Sequence, residues 1–217
     1  MTTIFQARTG AEAGPTAGPA GVNKQGHLVI MDWLQWMMLA GKIFQVRAGT
    51  VTTPIIGGVP LADTAAEFCV DALAGYTVIP IFQNISVRLG TGTLHEYATK
   101  SVKAVSSAGT AFVPLPMRNK ASGGQTAVAA VTTARVQAAG AVTVTAEAVT
   151  TTMRHWSFSN PVAAAAGHEP VDHNWEPRRP PFLGGPVCLY TQVNATGTGP
   201  SFYASLDYAE ALTSMLF

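Results

Sequence analysis

Charged side chains are scarce in this chain of 217 residues, at 12% of the sequence. A typical soluble domain carries about 25%. The 13 basic and 12 acidic residues leave a net charge of +1, without the clustered Lys and Arg of a nucleic-acid surface. A surface with so little charge repulsion is poorly suited to a free monomer. We therefore predict a homo-oligomeric subunit covered by copies of itself or by partners, with no strong nucleic-acid signal.

Cysteine is also rare. Cys69 and Cys188 cannot make a disulfide framework, and each lies in an apolar run, so we predict buried free thiols. A bridge between them would require their strands to be adjacent. The N-terminal MTTIFQARTG lacks the apolar centre of a signal peptide. No uninterrupted apolar run reaches about 18 residues, so no transmembrane helix is predicted.

Motifs for the common enzyme chemistries are missing from the sequence. There is no G-x-S-x-G elbow, no P-loop, and no G-x-G-x-x-G that follows a strand and opens a helix. The richest polar cluster, HEPVDH at residues 168–173, offers imidazoles and carboxylates that suit a divalent metal. However, Pro170 blocks the helix that would place both histidines on one face, so we interpret it as an interface loop. We predict no enzyme, no catalytic residue, no cofactor and no metal site.

The clearest pattern present is YTVIPIFQNISVRL at residues 76–89. Apolar side chains fill alternate positions from Ile79 to Leu89, with Gln83 as the exception, which predicts a β-strand with one continuous core face. Gly75 supplies a turn before it. Pro80 cannot donate to a β-ladder, so we place it at an edge or a bulge.

Other segments add strands around this one. Residues 64–73 suit either a short helix or a strand, and as a strand they predict a hairpin with 76–89. Residues 187–193 and 202–212 alternate apolar and polar side chains and predict a closing hairpin. The alternation within 141–158 slips near 149–151, as a β-bulge would make it do. Residues 160–186 are rich in proline and lack a period, which predicts a long loop.

The resulting prediction is an all-β jelly-roll sandwich of about eight strands. Residues 1–26, rich in Gly, Ala and Pro, predict a flexible N-terminal arm, and residues 27–217 a single domain with long loops. The arm is nearly free of Lys and Arg, so it is not one that neutralises packaged nucleic acid.

Residues 27–40, HLVIMDWLQWMMLA, carry a wide apolar helical surface. This predicts a short buried helix or a contact with a neighbouring subunit. Lying on a membrane is the less favoured alternative, because the polar face lacks Lys and Arg. The interface candidates here are Trp33, Trp36, Met37 and Met38.

The 160–186 segment contributes the other interface candidates. Arg178 and Arg179 are held extended between prolines, where guanidinium groups suit a partner's carboxylates. The remaining candidates in this segment are His168, His173 and Trp175. In an alternative interpretation, Trp156, Trp175 and His173 form the platform of a carbohydrate- or receptor-binding module, as in a phage fibre.

The layout across residues 43–212 resembles single jelly-roll capsid proteins of icosahedral viruses, including bacteriophages and archaeal viruses. The resemblance lies in the apolar-flanked strand AGYTVIPI at 74–81, a long irregular middle, and the closing segment SLDYAE at 205–210. It implies two four-stranded sheets, with the closing strand paired in the sheet that carries the first. It also implies a capsid subunit located in the virion, with copies of itself and other virion proteins as partners.

Overall fold

A computed structural model of the protein describes residues 20–22, 28–30, 33–50, 52–58, 64–89, 94–117, 130–137, 142–144, 151–159, 171–175, 181–196 and 199–216. Within these ranges the structure is almost entirely β. The strands are β1 (Ala20–Val22), β2 (Leu28–Ile30), β3 (Ile43–Ala48), β4 (Ile55–Ile56), β5 (Ala65–Ala66), β6 (Phe68–Ala72), β7 (Tyr76–Leu89), β8 (Leu94–Val102), β9 (Thr110–Phe112), β10 (Leu115–Pro116), β11 (Thr133–Val136), β12 (Val142–Thr143), β13 (Thr151–Ser159), β14 (Val171–Asn174), β15 (Leu183–Gly184), β16 (Val187–Ala195) and β17 (Ser201–Leu212). The helices are α1 (Trp33–Leu39) and a 3-10 turn (Thr213–Met215).

Two large antiparallel sheets form a sandwich, which confirms the predicted fold class. The first sheet has the order β10-β3-β17-β7-β14, with β4 also paired to β17 and β15 to β7. The second sheet has the order β13-β8-β16-β6-β11-β9. Two small ladders, β1 with β2 and β5 with β12, lie outside these sheets. The small β1 ladder falls partly within the predicted flexible arm; the remaining residues of 1–26 lie outside the described part.

Eight core strands are connected as a jelly roll. In chain order they are β3, β6, β7, β8, β13, β14, β16 and β17. The first pairs with the eighth, the second with the seventh, the third with the sixth, and the fourth with the fifth. A long antiparallel hairpin rolled around a common core produces this order. The closing strand β17 thus lies beside the first strand β3, as expected.

Both predicted hairpins are wrong. Strands β6 and β7 follow one another through Gly75, whose φ is 84°, but they belong to opposite sheets. The same is true of β16 and β17. A glycine turn serves equally well to reverse a strand within a sheet or to carry the chain to the other sheet. Local sequence therefore does not distinguish the two connections.

The set of alternate β7 residues that faces the core changes at a β-bulge beside Pro80. The ladder between β7 and β17 passes over Ile81, which is the extra residue. Pro80 thus sits at an irregularity, as predicted. Val78 faces the core between the sheets, whereas Ile79 packs in a cluster with α1. The predicted single apolar face over residues 79–89 is therefore wrong at its N-terminal end.

The 160–186 segment and the bulge in β13 also differ from the predictions. The segment 160–186 is not one continuous loop, because it contains β14 and β15. Strands of four and two residues are too short to show a period. The β-bulge expected near 149–151 is found in β13 at Met153, between Thr152 and Arg154.

Large apolar side chains from both sheets fill the interior of the sandwich. The alternate positions predicted to face inward in β16 and β17 all lie in this core: Val187, Leu189, Val193, Phe202, Ala204, Leu206 and Tyr208. Each Leu- or Phe-sized side chain contributes about 1.5–3 kcal/mol by its burial.

One polar side chain crosses this core. Gln83 of β7 is 1% exposed and donates from Nε2 to Thr191 Oγ1 at 2.9 Å. Its Oε1 accepts from Thr99 Oγ1 at 2.8 Å. Thr99 and Thr191 lie on β8 and β16, so this amide joins the first sheet to the second. The hydrogen bonds explain why a glutamine occupies an otherwise apolar face.

We expect Gln83→Ala to lower the free energy of unfolding by about 2–3 kcal/mol, because it opens a cavity and removes two buried hydrogen bonds. The triple variant Gln83→Leu, Thr99→Val, Thr191→Val should stay within about 1 kcal/mol of wild type, since it leaves no polar group behind. Urea unfolding measures both changes. Similar losses in the two variants would mean that volume, and not hydrogen bonding, governs this position.

Further layers cover parts of both outer faces. On the first sheet, Met37 of α1 packs with Ile43, Ile79, Ala209 and Ala211. On the second sheet, β5 and β12 contribute to a cluster that contains both cysteines: Ala66, Cys69, Val102, Val142, Val144, Cys188 and Tyr190. The cysteines are buried and unbridged, as predicted. No helix in the described ranges is long and apolar enough to cross a membrane.

Candidate functional site

Four aromatic and cationic side chains meet where the outermost strands β13 and β14 of the two sheets come together. We call Arg154, Trp156, His173 and Trp175 the edge cluster. The His173 and Trp175 rings meet edge to face, with centroids 4.6 Å apart, and the Trp156 and His173 centroids are 6.0 Å apart. Arg154 Nε donates to His173 Nε2 at 2.8 Å, and the guanidinium carbon lies 5.5 Å from the centre of the Trp175 ring.

The side chains of the edge cluster come from both sheets, from β13 of the second and from β14 and the residue after it in the first. Arg154 and Trp156 lie two residues apart on β13, so they share one face of that strand. The backbone N–H of Trp175 donates to Ile81 O at 2.8 Å, which fixes the end of β14 against the bulge in β7. Trp156 packs against the main core, Trp175 is buried, and Arg154 is exposed. The cluster therefore closes the sandwich while it presents a cation to solvent.

Burial, and next the positive charge of Arg154, lower the pKa of His173. The imidazole is therefore neutral near pH 7, and its Nε2 accepts the hydrogen bond from Arg154. A metal ion at that nitrogen would need the same lone pair. This geometry disfavours His173 as the metal ligand considered for the HEPVDH segment.

We expect Arg154→Ala to raise the pKa of His173 toward its ordinary value of 6.5, because the neighbouring positive charge is removed. An NMR titration of the imidazole measures this change. Arg47→Ala on β3 serves as a control that removes a guanidinium from a different strand. An unchanged His173 pKa in Arg154→Ala would contradict the Arg154–His173 contact.

Of the predicted interface residues in the 160–186 segment, the structure describes only some. The structure brings His173 and Trp175 together, whereas His168, Arg178 and Arg179 lie outside the described residues. Arg154 was missed as a site residue, although its spacing from Trp156 in a strand was a usable signal. The sequence does not indicate its contacts with His173 and Trp175, because those residues lie at the edge of the other sheet.

The second predicted interface set lies on α1. Trp33 and Trp36 are half-buried against the cluster built on Met37, so they have a packing role within the chain. Met38 is 43% exposed. A contact of these four residues with a neighbouring subunit stays a prediction.

A polar depression of about 410 Å³ lies on the outer face of the first sheet. Within and beside it, Gln45 Nε2 donates to Asp207 Oδ1 at 2.8 Å, and Asn84 Nδ2 donates to Asp172 Oδ1 at 2.6 Å. Burial raises the pKa of Asp207, opposed by the Gln45 hydrogen bond and the Arg47 charge. Because these amides and carboxylates already bind one another, the depression is a weaker candidate than the edge cluster.

The opposite edge of the first sheet exposes aliphatic side chains. Val113, Leu115 and Met117 are 82%, 38% and 38% exposed, and we call them the apolar flank. Pro114 and Pro116 alternate with them and are more buried. The flank includes part of β10, the last strand of the sheet on this side. In the sequence this flank is the segment VPLPM, in which aliphatic side chains alternate with prolines.

No protein-family model, curated protein or solved structure matches this chain. We therefore infer its function from its fold, surface and side chains alone.

Proposed function

We propose that this protein is a capsid subunit, a single jelly-roll protein that assembles with copies of itself into an icosahedral viral shell. Jelly rolls occur in viral capsids, lectins and cupins. The strand order therefore limits the functional classes to be considered but does not distinguish among these three. The apolar flank is the observation that carries the choice.

The apolar flank has the properties of a contact surface between proteins. Single exposed aliphatic residues are common, but here three are exposed at alternate positions of one short segment that contains the edge strand β10. Pro114 and Pro116 lack N–H donors, so a partner strand cannot simply extend the sheet there. A partner would instead pack against the Val113, Leu115 and Met117 side chains. The low charge of the chain, 12%, favours the same kind of association.

The positions of the flank and the edge cluster favour assembly in many copies. The first sheet runs from β10 at one edge to β14 at the other, so the two surfaces lie about 20 Å apart across five strands. They differ in chemistry, one being aliphatic and the other aromatic and cationic. Contacts between unlike surfaces are head-to-tail, and they produce rings or larger assemblies in place of simple dimers.

We expect the wild-type chain to form particles, and Val113→Asp with Leu115→Asp to abolish them. Buried carboxylates would prevent the flank from packing, whereas the exposed positions leave the subunit fold intact. Negative-stain microscopy and sedimentation measure assembly, and circular dichroism checks the fold. Ile56→Asp is the matched control, because Ile56 is 62% exposed on β4, away from the flank. Particles at wild-type yield in the double variant, or a wild-type chain that stays monomeric at high concentration, would refute the proposal.

The edge cluster favours a second candidate, a carbohydrate- or receptor-binding module. Aromatic rings beside a guanidinium form a platform for sugar rings and their hydroxyl groups. Within the described residues, Arg154 uses only its Nε donor, so its other N–H groups can reach sugar hydroxyls beside the half-buried Trp156 and His173 rings. A glycan array tests this function: binding by the wild-type chain that Trp156→Ala reduces about tenfold or more would favour it. A wild-type chain that binds no glycan on the array would count against it.

A further inference from the structure

A separate group of reactive side chains lies on the outer face of the second sheet. Cys69 and Asp71 alternate with the core residues of β6, and Cys188 lies on the neighbouring strand β16. One ligand atom from each of the three falls within 4.8 Å of the others. None is more than 1% exposed. Sulfur and carboxylate donors thus converge in a buried site that is separate from the apolar flank and the edge cluster.

The strand register disfavours a disulfide between the two thiols. Asp71 lies directly opposite Cys188, and Cys69 lies opposite Tyr190, so the two cysteines are diagonal neighbours. Diagonal Cα atoms are about 7–8 Å apart, whereas disulfides usually require about 4.4–6.8 Å. A metal ion bridges the longer separation, because it adds two metal–sulfur bonds of about 2.3 Å.

Ser106 holds the carboxylate in place. Its N–H and its Oγ–H donate to the two oxygens of Asp71 at 2.9 and 2.6 Å. Cys69 Sγ donates to Ser106 Oγ at 3.1 Å. Partners of this kind orient metal ligands in proteins and raise affinity for the ion.

Metal binding would change the charge of this buried group. A divalent cation that binds Cys69, Asp71 and Cys188 releases both thiol protons to solvent and balances two of the three negative charges on the thiolates and the carboxylate.

We propose that Cys69, Asp71 and Cys188 form a zinc site, with Ser106 as the positioning residue for Asp71. Two thiolates and a carboxylate suit Zn²⁺, and three protein ligands leave a fourth position for water or the Ser106 hydroxyl. The sequence did not indicate this site, because its ligands lie on strands that are distant in the chain. The proposal does not depend on the capsid function.

Metal analysis and cobalt spectroscopy on the full chain test the site. We expect about one Zn²⁺ per chain, and a thiolate-to-cobalt charge-transfer band when Co²⁺ is substituted. Cys188→Ser should abolish the band, and Ser106→Ala should weaken zinc binding by about 10–100-fold. His173→Ala, which removes an imidazole from the edge cluster, should bind zinc as tightly as the wild-type chain does.

Two results would overturn the proposal. One is a folded wild-type chain that takes up neither zinc nor cobalt, and the other is metal binding that His173→Ala removes and Cys188→Ser retains. If Cys188→Ser fails to fold, the wild-type chain still decides: zinc should raise its melting temperature and EDTA should reverse the rise. An unchanged melting temperature with both reagents would reject the site.

Discussion

Raising the pH from about 5 to about 9 should lower the free energy of unfolding by about 4 kcal/mol through Glu67 alone. Glu67 is 4% exposed, and its two oxygens accept hydrogen bonds from the Gly58 N–H at 2.9 Å and the Val193 N–H at 2.8 Å. Burial raises its pKa from 4.5 to about 8, although both hydrogen bonds favour the carboxylate. Desolvation of the charge outweighs them because the side chain, which reaches Val193 of β16, is buried with little access to water.

The direction of this pH effect follows from the ionisation of Glu67 in the unfolded and folded states. In the unfolded chain Glu67 loses its proton near pH 4.5, whereas the folded chain keeps it until about pH 8. Over this interval the unfolded state gains from ionisation and the folded state does not, so the contribution of Glu67 to stability is greatest below pH 4.5 and falls up to pH 8. The pKa difference of roughly 3.5, at about 1.4 kcal/mol for each tenfold change in proton affinity, gives a full loss of about 5 kcal/mol, of which about 4 kcal/mol falls between pH 5 and pH 9.

Urea unfolding at a series of pH values measures this loss, with Glu67→Gln as the comparison. Glutamine has one acceptor where the carboxyl has two, so the variant should be less stable than wild type at pH 5 by about 1–2 kcal/mol. Its stability should nevertheless vary much less with pH, and it should equal or exceed wild type at pH 9. A variant that keeps the wild-type pH dependence would show that other groups are responsible.

Glu210→Ala should lower the free energy of unfolding by about 4 kcal/mol. Glu210 is fully buried on β17, and its Oε2 accepts from both the Val131 N–H at 2.9 Å and the Thr132 N–H at 2.7 Å. These residues lead into β11 of the second sheet, so the carboxylate connects the two sheets. Truncation leaves both N–H groups without their acceptor and opens a cavity.

Glu210→Gln separates the hydrogen bonds from the charge. Both bonds use the same oxygen, so a glutamine carbonyl in that position accepts both, and we expect a loss of only about 1 kcal/mol. Urea unfolding gives the energies, and amide exchange at Val131 and Thr132 should accelerate only in Glu210→Ala. Equal destabilisation by alanine and glutamine would contradict the role of this acceptor oxygen.

Residue types and their alternation determined much of this protein. Side chains point to opposite faces of a strand in turn, so the inward positions of β16 and β17 could be read from the apolar residues. The low charge, the two unpaired thiols and the jelly-roll class also followed from composition and pattern. His173 and Trp175 were recognised as site candidates from their chemistry alone.

Tertiary structure decided where these pieces meet. Sheet membership depends on pairing between distant strands, which is why both predicted hairpins proved to cross from one sheet to the other. Arg154 reaches His173 only because β13 and β14 meet at one edge, and Cys69 reaches Cys188 only because β6 pairs with β16. The pKa of Glu67 likewise depends on water being excluded by elements distant in the chain. Local sequence specifies which way a side chain points along its strand, whereas long-range pairing specifies what it faces.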